Sequence, residues 1–284
     1  MKSIWQQLAR MAALVLLAGL ASAVLARYAP GALVDERELG QRMSEDSLAA
    51  LRAQKAREAS LGASLVGYLK GLLQGDLGYS QSNNAPISAL IADRAPETLR
   101  EIGLGLAGAW FLGLGMAIPA GLWRRGWFYD SAASVIAGLM LSLPAALLAY
   151  VCLTLGTTAR MVLVLVLAPK IFRFSRNLLV QAYNASHVAM ARARGLTELR
   201  ILAAHVFPSA APQLLALAAA SASLAIGAAI PIEAICDVPG LGRLAWQAAM
   251  ARDLPLLVNL TMLVALATTI AMAISEALTQ REAA

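Results

Sequence analysis

Few residues in this 284-residue chain have the type and spacing to do chemistry. Cys152 and Cys236 are far apart and lack metal or redox spacing, so they read as small buried apolar residues. His187 and His205 stand singly and read as ordinary helix or loop residues. There is no Gly-x-x-x-x-Gly-Lys-Ser/Thr phosphate loop, no zinc spacing and no Gly-x-Ser-x-Gly elbow. Gly103-x-Gly105-x-x-Gly108 matches a dinucleotide fingerprint formally, but no strand precedes it and it lies in a charge-free apolar run. Close helix packing through small residues explains it better. An integral-membrane enzyme would need clustered catalytic residues, and none cluster. The distinctive stretch is instead Arg173 to Pro208, the longest run that is both basic and helix-forming. Ala185, Ala189, Ala191 and Ala193 give it a small-residue face, Gly195 a helix stop, and Pro208 the opening of the next helix. A short, glycine-terminated, arginine-flanked helix suits docking into a groove on another protein.

The elements around this stretch are membrane spans. The chain is 59% hydrophobic and 14% charged, against about 45–50% and about 25% in soluble domains. A span needs about 20 apolar residues. Met11 to Ala26 provides the first, expected over 1–26; Ala21-Ser22-Ala23 also fits a signal-peptide cleavage site, and retention as a span is expected. Residues 27–101 are soluble in character, with nine Lys/Arg and ten Asp/Glu, and partly helical, with Ser44 capping a helix to Glu58. Further spans are expected over about 102–123, 131–155, 161–180, 209–232 and 254–275, with 181–208 between the fourth and fifth. Pro119 should bend the end of the second, and Pro144 falls inside the third. The fourth meets Lys170 after nine apolar residues, so its cations must snorkel to the inner surface or face protein. Between the fifth and sixth lies Pro239-Gly240-Leu241-Gly242, then Arg252-Asp253. Pro-Gly there demands a tight turn; Leu241, Leu244 and Trp246 either re-enter the apolar interface or sit in a plain external loop.

The net charge of +6 raises the question of a nucleic-acid partner. Charge placement answers it. With six spans and both termini inside, the inner segments hold eleven Lys/Arg: Lys2, Arg10, Arg124, Arg125, Lys170, Arg173, Arg176, Arg192, Arg194, Arg200 and Arg281. The short outer loops hold three: Arg160, Arg243 and Arg252. That asymmetry orients a polytopic protein with 181–208 in the cytoplasm, and nucleic acid is not expected.

The spacing within 181–208 resembles the cytoplasmic coupling motif of ABC importer permeases, Glu-Ala-Ala, three residues, Gly, nine residues, Ile, one residue, Leu-Pro. Its slots hold Ala189-Met190-Ala191, Gly195, His205, Phe207 and Pro208, with the Glu absent. Ala191-Arg192-Ala193-Arg194-Gly195-Leu196 is similar to the Ala-Arg-Ala-Lys-Gly-Leu of the dipeptide, oligopeptide or nickel branch. That branch also carries Gly-Asp-Leu-Gly-Tyr-Ser, matched at Gly75 to Ser80, then a Pro, an Ile and Arg-x-Pro-x-Thr-Leu, matched by Pro86, Ile91 and Arg94 to Leu99. Pro-Gly-Leu-Gly and Arg-Asp-x-Pro are further family features. Two departures mark a divergent member: Pro30-Gly31 is followed by Ala32-Leu33 rather than Asp-Pro, and the external loop near Arg160 is short.

The resemblance implies an all-α fold of six transmembrane helices with a cytoplasmic coupling helix and an external, partly helical 27–101. It implies a permease subunit in a bacterial inner membrane, not itself an enzyme and without a cofactor or metal. Its partners would be a second permease subunit, two cytoplasmic ABC ATPases, an external substrate-binding protein and the lipid membrane. The ATPase-coupling residues would be Ala189, Ala191, Arg192, Arg194, Gly195 and Pro208. The external motif would be Pro239, Gly240, Leu241, Gly242, Arg252 and Asp253. A stand-alone secondary carrier or channel is the alternative; it would normally need intramembrane carboxylates or matched broken helices, and no carboxylate lies mid-span.

Overall fold

The computed structural model of the chain describes residues 11–22, 77–122 and 127–280. The expected helix from Ser44 to Glu58 and the pairs Gly75-Asp76 and Arg124-Arg125 lie outside the described residues. The architecture is helical. Helix α1 is Met11–Ser22. A two-residue hairpin comes next, β1 (Tyr79–Ser80) antiparallel to β2 (Ala85–Pro86), with Tyr79 opposite Pro86. Then come α2 (Ile87–Leu122), α3 (Trp127–Ser142), α4 (Ala145–Thr154), α5 (Ala159–Tyr183), α6 (Ser186–Ala193) and α7 (Glu198–Ile201). A wide π turn over Leu202–Val206 leads into α8 (Phe207–Ile235), and α9 (Leu241–Met250) and α10 (Leu254–Gln280) complete the described chain.

Among the described residues, three segments are long and apolar enough to cross a membrane: Ile87–Ala120, Glu198–Ile235 and Leu254–Leu278. A fourth is the pair Ser131–Ser142 and Ala145–Thr154, which meet at 98°. The break falls at Pro144, whose backbone is extended (φ −62°, ψ 142°). Proline there removes a ladder hydrogen bond and pushes the preceding residue away from helical geometry. Pro119 behaves differently: α2 runs through it to Leu122. Helix α5 has the length of a span but carries Arg160, Lys170, Arg173 and Arg176. It is covered on two sides, by α2 and α8.

The α2–α5 contact is the most extensive in the structure, and glycines make it possible. A Cβ added at Gly105 would stand 2.7 Å from Leu163 Cβ, one at Gly108 2.8 Å from Val164 Cγ2, and one at Gly113 3.0 Å from the Ala168 carbonyl. Gly103 faces open space. The glycine pattern therefore serves close helix approach. The apolar stripe of α5 (Val162, Leu163, Leu167, Ile171, Phe172, Leu179) recurs at helical spacing and is buried. Polar pins join the spans: Trp110 Nε1 donates to Ser221 Oγ at 3.0 Å, and Ser275 Oγ donates to the Ala216 carbonyl at 2.8 Å. In a membrane such bonds help fix helix pairs, because lipid offers no alternative partner.

Gly113→Val should cost about 1–3 kcal/mol of stability by overpacking the α2–α5 seam. Gly103→Ala should be neutral or stabilising by a few tenths, since it removes chain entropy at an open position. Thermal unfolding of both variants in detergent micelles checks the pair; equal losses would mean the seam is not where the glycines act.

Candidate functional site

The residues singled out in the sequence gather at the two ends of the helix array. At one end, α6 is an eight-residue helix between α5 and α7. Its buried residues are Val188 and Ala191, one turn apart on the same face. They join a cluster with Phe172 and Leu179 of α5, Ile201 of α7 and Leu202, Val206 and Ala210 leading into α8. Ala189, Met190, Ala193 and Arg194 are exposed. Ala191 is thus part of the anchor, a correction to its expected place on the docking surface.

Helix α6 ends in a Schellman motif. The Leu196 N–H donates to the Ala191 carbonyl at 3.4 Å and the Gly195 N–H to the Arg192 carbonyl at 3.0 Å. Gly195 has φ +78°, the left-handed conformation this ending requires and glycine adopts without strain. Arg192 turns back over the loop and grips Glu198 at 2.8 and 3.2 Å. That hydrogen bond raises the Arg192 pKa and lowers the Glu198 pKa. The pair is exposed and adds little to stability. Tyr183, at the end of α5, is pushed up to about 12 by burial and then by Glu198, against an opposing pull from Arg192. It is a neutral phenol at any physiological pH. Pro208 sits in the first turn of α8, where its missing N–H costs nothing.

At the other end, segments distant in sequence are tied together. Asp253 is 2% exposed. Its Oδ2 accepts from Ser80 Oγ at 2.5 Å, from the Ser82 N–H at 2.9 Å and from Ser82 Oγ at 2.8 Å. Its Oδ1 accepts from the Leu256 N–H at 3.3 Å, capping α10. Burial pushes the Asp253 carboxyl up, but the bonds from Ser80, Ser82 and Leu256 outweigh it and hold the carboxyl below its ordinary range. Asn259 Nδ2 adds a bond to the Leu77 carbonyl at 3.1 Å. Arg252, just before, adopts φ +54°, uncommon for a residue with a side chain, and forms the left-handed end of α9.

Pro239 to Gly242 form part of the same knot, and the tight turn expected from Pro-Gly is there: the Gly240 N–H donates to the Val238 carbonyl at 2.8 Å across Pro239. Gly240 has φ −105°; the left-handed residue in this connection is Asp237, at φ +56°. The glycines are required for space. A Cβ on Gly240 would collide with the Glu233 carboxylate and Thr98 Oγ1, and one on Gly242 would lie 2.6 Å from Ile230 Cα. Without those side chains, the Leu241 N–H donates to Thr98 Oγ1 at 2.7 Å and the Gly242 N–H to Glu233 Oε2 at 2.7 Å. The segment beyond Gly240 is no plain loop: α9 packs Leu244 and Ala248 against Ile87, Leu256 and Leu260, while Trp246 stays exposed. Beside the knot, Arg160 Nε donates to Glu101 Oε1 at 2.9 Å and joins α5 to α2.

Sequence reasoning misses Ser80, Ser82, Thr98, Glu101 and Glu233 as partners. Ser80 and Thr98 lie within recognisable motifs, so the signal is there without the pairing. Glu233, a lone carboxylate at the end of an apolar run, is the other available sign. Among the described residues no group of acidic, His or Cys side chains could hold a metal ion.

Asp253→Asn should cost about 1.5–3 kcal/mol, because charge-assisted acceptance is lost at a buried site. The unmodified chain should lose stability as pH falls through the depressed folded-state pKa of Asp253, since the unfolded carboxyl takes up its proton first. Stability gained from this group is fully present above the ordinary carboxylate range. In Asp253→Asn this acid-side contribution should vanish. Unfolding curves from about pH 3 to 7 for both forms measure it; an unchanged acid limb would place the titrating group elsewhere.

Comparison with known proteins gives this arrangement a family. Residues 110–283 match the family model described as binding-protein-dependent transport system inner membrane component. A Brucella suis protein named as a peptide permease is 31% identical over 249 residues, covering 78% of each chain. The glutathione transport system permease protein of Salmonella choleraesuis is 25% identical over 228 residues, covering 74% of each. In fold, the chain is similar to a subunit of the MetNI methionine ABC transporter in inward-facing conformations, with TM-score 0.55 and 22% identity over 66% of this chain and 96% of that one. A multi-pass helical chain, with its motifs knotted at one end and a short exposed helix at the other, belongs to the inner membrane components of binding-protein-dependent transport systems.

Proposed function

We propose that this chain is the transmembrane permease subunit of an ATP-driven importer for peptides or a related small solute. Its partners are a second permease subunit, two cytoplasmic ATPases and an external substrate-binding protein. Six spans put both termini and α6 in the cytoplasm and the Asp253 knot outside. The family match and the naming of relatives as peptide and glutathione permeases support the substrate class.

One observation carries the coupling role. Helix α6 exposes Ala189, Met190 and Arg194 outward yet is anchored by Val188 and Ala191 to both α5 and the entry of α8. A push on its outer face therefore reaches two long helices at once. The Schellman turn at Gly195 and the Arg192–Glu198 pair shape the loop behind it, and Pro208 fixes the start of α8. Closure of the ATPases on ATP moves α6, and the spans rock so that the path opens alternately to either side. The knot outside keeps α2, α8, α9 and α10 together as the inner ends move.

Ala189→Trp and Met190→Glu change only exposed side chains. Both should leave membrane insertion intact and reduce co-purification of the ATPases at least tenfold. With Cys152 and Cys236 replaced by Ser, since Cys236 is a partly exposed thiol, Ala193→Cys should react with a membrane-impermeant maleimide in inside-out vesicles and not in intact cells. Retained ATPase binding in both variants would remove α6 as the lever, and labelling in intact cells would invert the topology.

A further inference from the structure

A cavity of about 330 Å³ lies where the Pro144 break meets α5 and α8. This is within the roughly 300–1,000 Å³ of small-molecule sites. Its lining is apolar except for Lys170 of α5 and Ser223 of α8. None of the lining residues is acidic, and no described carboxylate pairs with Lys170. Arg160 marks the outer end of α5 through its bond to Glu101. Lys170 is ten residues further along, about 15 Å at 1.5 Å per residue, or half the roughly 30 Å hydrocarbon thickness; this takes it out of the inner-surface count, and the remaining ten inner cations against three outer ones still orient the chain. An unpaired cation at that depth is costly and marks a function.

Two further features favour an anion there. Ser223 is 8% exposed, and its hydroxyl makes no hydrogen bond with any described residue, although the nearby Ser221 bonds to the Ala218 carbonyl. Ala145 brings the first turn of the ten-residue α4 to the cavity, and its N-cap, Pro144, provides no side-chain cap. A helix N-terminus offers free N–H groups and positive potential. Arg173, exposed one turn beyond Lys170, continues the positive face of α5 toward α6.

We propose that this cavity is a subsite for the carboxylate of the transported solute, with Lys170 as its counter-ion and Ser223 and the α4 N-terminus as hydrogen-bond donors. The proposal rests on the peptide-import reading and adds the group by which the membrane path holds its cargo. A peptide carboxylate and a lipid phosphate share this chemistry, and the depth of Lys170 favours the peptide.

The test uses the complete transporter in ATP-loaded proteoliposomes, with labelled alanyl-alanine and its C-terminal amide as probes. The unmodified transporter should take up the acid at least tenfold faster than the amide. Lys170→Met should bring the acid down to the level of the amide, and Lys170→Arg should restore most of the difference. Ser223→Ala, which alters one buried hydroxyl, should narrow the difference a few-fold and serves if Lys170→Met does not assemble with the ATPases. Discrimination unchanged in Lys170→Met, or in Ser223→Ala where only that variant assembles, overturns the subsite while leaving the importer in place. Uptake that tracks the anionic lipid content and ignores the peptide terminus overturns it in favour of lipid. Absence of ATP-dependent uptake of either probe by the unmodified transporter overturns the peptide reading, and the subsite with it.

Discussion

Helix α5 touches α2 at backbone distance, and most of the molecule is arranged along that contact. Gly105, Gly108 and Gly113 leave the room into which Leu163, Val164 and Ile171 fit. Without this approach α5 would have to carry four cations through lipid. With it, the apolar face of α5 is buried against α2 and α8. One end of α5 bonds to Glu101, its middle opens on the cavity, and its other end anchors α6. One glycine-lined seam thereby positions three sites that share no sequence proximity.

The two ends are built on different physics. The Asp253 end is a set of buried polar bonds, in which Asp253, Thr98 and Glu233 accept from backbone N–H groups. Losing one partner strands another, so the knot is stiff. The α6 end is apolar, non-directional contact through Val188, Ala191, Ile201 and Val206. Such contact tolerates small sliding.

Local features are legible in the sequence because they are written in single residues. Gly195 announces the end of α6, Pro208 the start of α8, and charge-free runs the long helices. The motif segments can be recognised, yet which of them touch cannot. Ser80 and Asp253 are paired across 173 positions, and no periodicity records that. Prolines are ambiguous for a physical reason. Pro96, Pro119, Pro169, Pro212 and Pro231 lie inside continuous helices, whereas Pro144 ends one. Tertiary contacts decide whether the lost hydrogen bond bends a helix or breaks it. Spacing alone sends Lys170 toward the inner surface or into protein contact. The cavity it lines is shared with residues of α3, α4 and α8, which linear spacing cannot bring together.

The turn behind α6 carries one more implication. Its curvature is set by main-chain bonds at Gly195 and Leu196, while the Arg192–Glu198 pair lies open to water. Dissolved ions weaken an exposed charge pair and leave main-chain geometry alone. Raising the ionic strength would therefore loosen the side-chain clasp while leaving the elbow, and the exposed face of α6 beside it, in place.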